Sequence, residues 1–206
     1  VFALKILLSA PRFKMQVLRH FPLTLAEPCA LAIGNFDGLH LGHQALLAKL
    51  IETSKQQQLK SAVMTFEPHP IEYFSPDKAP SRILGLRDKL EALQAMGVDQ
   101  VLVEHFNQAF ASLSPENFVK TMLVKGLQVK YILIGDDFHY GTKRAGNFQS
   151  LVESGKQWGF EVERMDTLAE QGLRISSSAT RAALTSGNLE LTRSLLGRPY
   201  TISGHV

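Results

Sequence analysis

The sequence lacks features that mark several classes of protein. Its 206 residues include one cysteine, Cys29, which excludes an internal disulfide and is typical of a reducing compartment. No apolar stretch is long enough to span a bilayer, and the apolar run over residues 2–8 is followed by no clear signal-peptide cleavage pattern. We therefore expect a cytoplasmic protein that does not contact the membrane.

The chain also lacks a strong charge of either sign. Its formal net charge is +3 with a pI near 9.0, and its lysines and arginines are scattered along the sequence. This balance gives little support for a nucleic-acid surface, and an anionic small ligand fits it equally well. With 45% hydrophobic and 20% charged residues, the chain can form one large α/β domain with an ordinary core. We expect small-molecule substrates and no nucleic-acid partner.

Short apolar runs alternate with helical patterns along the chain. Strands are predicted over residues 30–33, 61–66, 100–103, 131–134 and 160–165. Helices are predicted between them, two with sharp limits: residues 86–96 before Gly97, and residues 148–158 after Asn147. A further helix should begin at Ser114 and Pro115. The alternation predicts an α/β fold with a doubly wound, mostly parallel, Rossmann-like sheet.

The segment GNFDGLHLGH, residues 34–43, lies where the first of these strands gives way to a helix. Gly34, Gly38 and Gly42 allow a sharp turn close to a ligand, and the helix N-terminus directs free N–H groups toward an anion. His40 and His43 share a helix face and can present two N–H donors to one group of oxygens. The joint pattern predicts a phosphate site. A zinc site is the alternative, although no third ligand with convincing spacing lies nearby.

A second anion-binding pattern, RISSSATR, covers residues 174–181. Ser177 or Ser178 is a suitable N-cap, which would place Arg181 in the first turn of a helix. Hydroxyls, free N–H groups and a guanidinium would then converge on one anion. An ordinary capped helix with a solvated arginine is the alternative, but the pairing with the first motif favours an anion site.

Polar loops follow the other predicted strands as well. The segment EPHP, residues 67–70, contains two prolines and is predicted to be a rigid loop, while Asp136 and Asp137 follow the fourth predicted strand. In a doubly wound sheet the ligand lies beyond the carboxyl ends of the strands. We therefore expect these loops and the two anion-binding motifs to line one crevice.

These ordered motifs resemble the N-terminal FMN adenylyltransferase domain of bacterial bifunctional riboflavin kinase/FAD synthetases, which belong to the His-x-Gly-His nucleotidyltransferases. Besides GNFDGLHLGH and RISSSATR, TFEPHP at residues 65–70 is similar to the family's flavin-side loop, and GDDFHYG at residues 135–141 is similar to another family segment. The resemblance runs from about Met15 to the end of the sequence. It implies transfer of AMP from ATP to FMN, giving FAD and pyrophosphate, with Mg²⁺ as cofactor.

The resemblance also implies roles for particular residues. His40, His43 and Arg181 would be catalytic and bind the reacting phosphates. ATP would be bound by residues of the two anion-binding motifs: Gly34, Asn35, Phe36, Asp37, Gly38, Gly42, Arg174, Ser176, Ser177 and Ser178. FMN would be bound by Phe66, His69 and Asp137. A turn cap is the alternative for Asp37, and a core aromatic is the alternative for Phe66; no metal ligand is implied.

Because Met15 opens a more ordinary start, residues 1–14 are expected to be an N-terminal extension, with an N-terminal helix as the alternative. By the resemblance, residues 15–196 form the adenylyltransferase domain. Residues 197–206 resemble the opening strand of the family's riboflavin kinase barrel. We therefore expect a C-terminal kinase domain in a longer, full-length protein and no riboflavin phosphorylation by this chain. Two other functions stay open: another His-x-Gly-His nucleotidyltransferase, such as a pantetheine-phosphate adenylyltransferase or a cytidylyltransferase, and a non-catalytic nucleotide-binding module.

Overall fold

The computed structural model describes residues 14–19, 24–166, 169–170 and 173–204. A six-stranded sheet runs through these residues, with all neighbouring strands parallel and the order β1-β4-β3-β2-β5-β6. Its strands are β1 (Gln16–Arg19), β2 (Cys29–Ile33), β3 (Lys60–Glu67), β4 (Gln100–His105), β5 (Val129–Gly135) and β6 (Glu161–Met165). A short antiparallel pair follows, formed by β7 (Ala169–Glu170) and β8 (Leu173–Arg174).

Helices connect the strands. They are α1 (Leu41–Gln56), α2 (Pro70–Phe74), α3 (Leu86–Met96), α4 (Gln108–Ala111), α5 (Pro115–Asn117), α6 (Phe148–Trp158), α7 (Ser177–Thr185) and α8 (Leu189–Leu196). Helix α5 continues as a π-helix over Phe118–Gly126. Within the described ranges, no helix combines the length and apolar character needed to cross a membrane.

Local sequence signals set the helix limits where the prediction was sharpest. Helix α3 ends before Gly97, whose φ of 90° is left-handed, and α6 ends before Gly159 in the same conformation. At the other end of α6, the Asn147 side chain accepts the N–H of Ser150, as an N-cap should. Both predicted ranges are confirmed.

The sheet is covered by helices on both faces. Along β2, Cys29 and Leu31 face a core shared with the π-helix and α6, whereas Ala30 and Ala32 face a second core shared with α1 and α3. This alternation follows from the period of two in a strand, and burial on both faces explains why β2 is apolar throughout. The predicted doubly wound architecture is confirmed.

Strand order reverses at β2, which places the motif at residues 34–43 where ligands bind in such folds. Strands β3 and β4 continue on one side of β2, while β5 and β6 lie on the other. The crevice of a doubly wound sheet opens beyond the carboxyl ends of the strands at this reversal. The segments after Ile33 and after Gly135 therefore meet at the same edge.

Two details differ from the prediction. All six strands of the main sheet are parallel, in agreement with the predicted parallel sheet, but an unpredicted strand, β1, pairs with β4 at its edge. Strand β1 has only four residues, of which most are exposed, so it carries little apolar pattern. The predicted rigid loop at residues 67–70 is shared between two elements: Glu67 ends β3 and Pro70 begins α2. Proline fits at the first helical position, where its missing N–H leaves no bond unmade.

The predictions for the two ends of the sequence, residues 1–14 and 197–206, stay predictions. Of the extension predicted over residues 1–14, only Lys14 is among the described residues. Residues 197–204, which resemble an opening strand, contain no helix or strand in this structure.

Candidate active site

The turn between β2 and α1 is held in an unusual backbone conformation. Gly38 has a φ of 82°, and a Cβ there would lie 3.0 Å from the Ile83 side chain, so only glycine fits without strain. Phe36 and Leu39 also adopt positive φ, 48° and 44°, while both side chains are buried in the core shared with α1. Non-glycine residues keep such angles only where packing enforces them. The two buried side chains thus fix the turn.

The two histidines of this motif lie together, as their spacing predicts. Their rings stack with centroids 3.7 Å apart and planes inclined by 19°. His40 is the N-cap of α1, and its Nδ1 accepts the backbone N–H of His43 at 3.3 Å. A Cβ on Gly42 would come within 3.1 Å of that same Nδ1, so the glycine leaves room for the ring.

Burial lowers the pKa of both histidines below its ordinary value. Burial lowers the pKa of His40 to about 4, partly offset by the negative charge of Asp37. Burial, with the charges of His40 and Lys89, holds the pKa of His43 well below its ordinary value. Because Nδ1 of His40 accepts a hydrogen bond, its proton is on Nε2. Nδ1 of His43 is buried and has no hydrogen-bond partner within the described part of the chain.

Asp37 joins the first motif to two other segments. Its carboxylate, 2% exposed, accepts the backbone N–H groups of Ile83 at 3.0 Å and Leu84 at 3.1 Å, and an Nη2–H of Arg181 at 2.6 Å. Arg181 also donates from Nε to the carbonyl of Ser81 at 2.8 Å. Asp37 therefore acts as a buried anchor, as in the turn-cap alternative, and the guanidinium of Arg181 is bound to protein groups rather than solvated.

The serine-rich segment differs in detail from its prediction. Ser176, rather than Ser177 or Ser178, is the N-cap, since its Oγ accepts the N–H of Ala179 at 3.2 Å. Arg181 consequently lies in the second turn of α7 and not in the first. The three adjacent serines are chemically equivalent caps, so sequence could not separate them.

This segment docks on the first motif. The Ser177 hydroxyl donates to the backbone carbonyl of Asp37 at 2.8 Å, whereas Ser178 is exposed. At the start of the segment, Arg174 lies 3.7 Å from Asp136, which follows β5. The two anion-binding motifs and the β5 loop therefore meet at one edge, as predicted.

The residues predicted to bind FMN come from three segments. The Phe66 ring packs against Phe106 at 5.8 Å and Phe110 at 5.6 Å, within an aromatic cluster that reaches the exposed Phe74. His69 is buried at the N-cap position of α2, where its backbone N–H donates to the Glu72 carboxylate at 2.9 Å, while Asp137 is exposed after β5. Among the described contacts, none joins Asp137 to the histidine pair.

Sequence reasoning missed the buried Lys89 of α3. Its side chain is 1% exposed, and its Nζ lies 3.1 Å from Nε2 of His69 and 3.4 Å from Oγ1 of Thr65. Thr65 in turn donates to the carbonyl of Asn35 in the first motif at 3.3 Å. One signal was available: Lys89 is three residues after Leu86 and four before Leu93, on the apolar face of the helix.

A second missed group braces the start of α2. Arg82 donates two hydrogen bonds to the carboxylate of Glu67, at 2.8 and 2.6 Å, and one from Nε to Glu72 at 2.6 Å. The guanidinium lowers the pKa of Glu72 to about 2. These ion pairs fix the end of β3 against α2 and thereby position His69.

The end of α8 is tied to the turn before His40. Arg198 donates from Nη2 to the carbonyl of Gly38 at 3.0 Å. The Gln44 amide lies 2.7 Å from the carbonyl oxygens of both Leu39 and Leu196. The last helix of the fold therefore supports the first motif.

The described residues contain no group of three or more His, Cys, Asp or Glu side chains placed to hold a metal ion. The zinc alternative for His40 and His43 needs a further protein ligand, so it gains no support from these residues. A hard cation such as Mg²⁺ differs in this respect, because it commonly binds through substrate phosphates and water.

Comparison with known proteins identifies the family to which the chain belongs. A family model described as FAD synthetase matches residues 23–179, about three quarters of the chain. The chain belongs to the FAD synthetase family. The match confirms the resemblance carried by the sequence motifs.

Curated relatives agree with the family. The bifunctional riboflavin kinase/FMN adenylyltransferase of Escherichia coli (strain K12) is 49% identical over 180 residues, which cover 87% of this chain and 58% of the relative. The protein of the same name from Haemophilus influenzae is 44% identical over 194 residues, covering 93% and 63%. This FAD synthetase family chain therefore spans about three fifths of the length of these relatives.

A solved structure agrees on the fold. A crystal structure described as a macrolide-efflux protein from Streptococcus pneumoniae has a TM-score of 0.77 and covers 93% of this chain and 66% of its own. Its sequence identity is 24%, so the similarity shows a shared fold alone. It supports the Rossmann-like α/β fold of this FAD synthetase family chain.

Proposed function

We propose that the chain is an FMN adenylyltransferase, which transfers AMP from ATP to FMN and gives FAD and pyrophosphate. The observation that carries this proposal is the stacked, neutral pair of His40 and His43 at the N-terminus of α1, at the reversal point of the sheet. A phosphate oxygen of FMN forms a bond to the α-phosphorus of ATP, and the bond from that phosphorus to the pyrophosphate oxygen breaks. The transfer requires no protein nucleophile.

On the ATP side, catalysis rests on fixed hydrogen-bond donors. His40 and His43 each offer one N–H, and the helix N-terminus adds its dipole, so charge that develops on the phosphates meets donors already in place. The glycines, Asn35 and Phe36 of the first motif and the serines of RISSSATR would shape the nucleotide pocket. Arg181 keeps N–H groups on Nη1 that could reach the β- and γ-phosphates while Nε and Nη2 hold Ser81 and Asp37.

On the acceptor side, the aromatic cluster around Phe66 suits the flat ring system of a flavin. His69 and Asp137 are the polar residues proposed for FMN at this end of the sheet. The relatives' name supplies FMN as the acceptor, and the apolar surface beside the phosphate-binding turn is consistent with it.

Magnesium is part of the proposal as a cofactor that arrives with ATP. It would neutralise negative charge on the phosphates that react and leave. Its ligands would be mainly phosphate oxygens and water. Location in the cytoplasm is also proposed, because substrates of this kind are made and used there. Riboflavin phosphorylation, the other activity in the relatives' names, is proposed only for a longer protein with a kinase domain.

The test is direct. The protein is incubated with ATP, MgCl₂ and FMN, and chromatography with a pyrophosphate assay should show FAD and pyrophosphate in equal amounts. Riboflavin is the matched control, because it lacks the attacking phosphate and should give no product. Turnover with CTP in place of ATP would instead favour a cytidylyltransferase, and nucleotide binding without any turnover would favour a non-catalytic module.

A further inference from the structure

Lys89 carries a charged group at a buried position that packing alone does not explain. It is 1% exposed, and no ion pair to it is present within the described residues; its neighbours within hydrogen-bond distance are His69 and Thr65. Burial lowers the pKa of Lys89 to about 8, opposed by the more distant charges of Asp37 and Glu67. An ammonium group placed so deeply costs stability, so its position favours a role beyond packing.

The contact with His69 has one chemically consistent form. An ammonium group carries donors and no acceptor, so Nζ of Lys89 must donate to Nε2 of His69 at 3.1 Å. A proton on Nε2 would set two N–H groups against each other. His69 is therefore neutral, with its proton on Nδ1, for as long as Lys89 is charged.

The charge of Lys89 also acts on both substrate sides. Burial is the main cause that lowers the pKa of His43 and of His69, and the charge of Lys89 lowers both further, together with His40 at His43 and Arg82 at His69. Asp37 and Glu72 oppose this effect at His69. The hydrogen bond from Thr65 to Asn35 continues the polar chain from Lys89 into the first motif. Lys89 thus lies beneath the junction of the ATP and FMN motifs.

We propose that Lys89 is a positioning residue of the adenylyl transfer, whose ammonium group fixes the ring of His69 in the tautomer with Nε2 unprotonated. It acts through the histidines and not by touching the substrate. The activity readouts rest on the proposed function, whereas the tautomer of His69 is independent of it.

The first test is Lys89→Met, which keeps the length of the side chain and removes the charge. Thermal unfolding should occur at the same or a higher temperature, because a buried charge is replaced by an apolar group of similar size. The kcat for FAD formation should nevertheless fall about tenfold, with a smaller change in the KM for ATP. The acid limb of the kcat/KM profile should move to higher pH by about one unit, because both histidines lose a neighbouring positive charge.

Lys156→Met is the matched control, since it removes the same charge from the exposed face of α6 and should change neither kcat nor the profile. A Lys89→Met protein with unchanged kcat and an unchanged acid limb would overturn the proposal. A fall in kcat/KM of the same size at every pH, with no shift of the acid limb, would also overturn the proposal.

The second test needs no variant. The ¹⁵N shifts of the His69 ring in the wild-type protein, between about pH 6.5 and 7.5, should show Nε2 unprotonated and Nδ1 protonated. A protonated Nε2 in that range would overturn the proposal, even if Lys89→Met failed to fold. If the wild-type protein made no FAD, the proposed function would fail while this spectrum still decided the tautomer.

Discussion

The proposed ATP side of the crevice is polar and internally hydrogen-bonded, whereas the proposed acceptor side is aromatic. On the proposed ATP side, the buried Asp37 and His40 are held by hydrogen bonds from α7 and from the backbone. On the acceptor side, aromatic rings lead outward from Phe66 to Phe74, which is 64% exposed. The first arrangement fixes donors before the substrate arrives, and the second leaves apolar surface open for a ligand. In the proposed reaction, catalysis and recognition of the acceptor would thus belong to different parts of the site.

The largest effect should come from His43→Ala on the ATP side. Loss of one preorganised donor should lower kcat by about 10²-fold, with little change in FMN affinity. Steady-state FAD formation and titration of FMN fluorescence measure the two quantities. His105→Ala, at the exposed end of β4, is the control and should leave turnover intact. Unchanged turnover in His43→Ala would remove His43 from the mechanism.

The next effect concerns the anchor of the same side. Asp37→Asn removes the charge that Arg181 pairs with at 2.6 Å, in a nearly buried position, and should lower the free energy of unfolding by about 3 kcal/mol. Urea denaturation measures this change. The control is Glu91→Gln, which breaks the exposed pair with Arg87 and should leave the free energy of unfolding nearly unchanged. Equal losses in both variants would show that burial does not distinguish the two pairs.

A fall in pH should lower the free energy of unfolding of the protein through protonation of His40. The pKa of this group falls from its ordinary value of 6.5 to about 4 on folding, so the unfolded chain takes up the proton first as the pH decreases. Its contribution to stability is complete above pH 6.5 and is lost between 6.5 and about 4. From about pH 7.5 to about pH 5, His40 alone should cost about 2 kcal/mol.

Urea unfolding at those two pH values should be compared between the wild-type protein and His40→Asn. Asparagine can still accept the N-cap hydrogen bond but does not titrate. Losses shared with other histidines cancel in this comparison. The variant should therefore lose about 2 kcal/mol less on acidification, and equal losses would contradict the assigned cause.

The smallest effect belongs to the acceptor side. Phe74→Ser removes an exposed ring from the outer end of the aromatic cluster. It should raise the KM for FMN several-fold, which corresponds to a loss of about 1 kcal/mol of binding free energy, without changing the KM for ATP. Leu189→Ser is the matched control, because Leu189 is 63% exposed on α8. A parallel rise in both KM values would show that the two sides are not separate.

Sequence predicted what is encoded locally. The limits of α3 and α6 follow from Gly97, Gly159 and Asn147, each of which sets its own backbone or capping conformation. The central strands were predicted because burial on both faces leaves a continuous apolar run. The turn at residues 34–43 was also predicted from local sequence, because its glycines and histidines form a pattern within ten residues.

What could not be predicted depends on partners distant in the chain. Strand β1 exists because β4 offers it an edge, and its own four residues carry little pattern. Arg181 binds Asp37 across 144 residues, so sequence could indicate an anion for it but not which one. Lys89 resembles a surface lysine until the packing of α3 places its ammonium group under two motifs.

The contact between Arg198 and the Gly38 carbonyl has a consequence for the order of events on the ribosome. The turn that carries His40 is synthesised 160 residues before the guanidinium that supports it. A nascent chain therefore exposes residues 34–43 for most of this interval without the contact from Arg198. If these residues bind nucleotide as proposed, we expect tight binding to begin only after Arg198 has emerged and reached the Gly38 carbonyl.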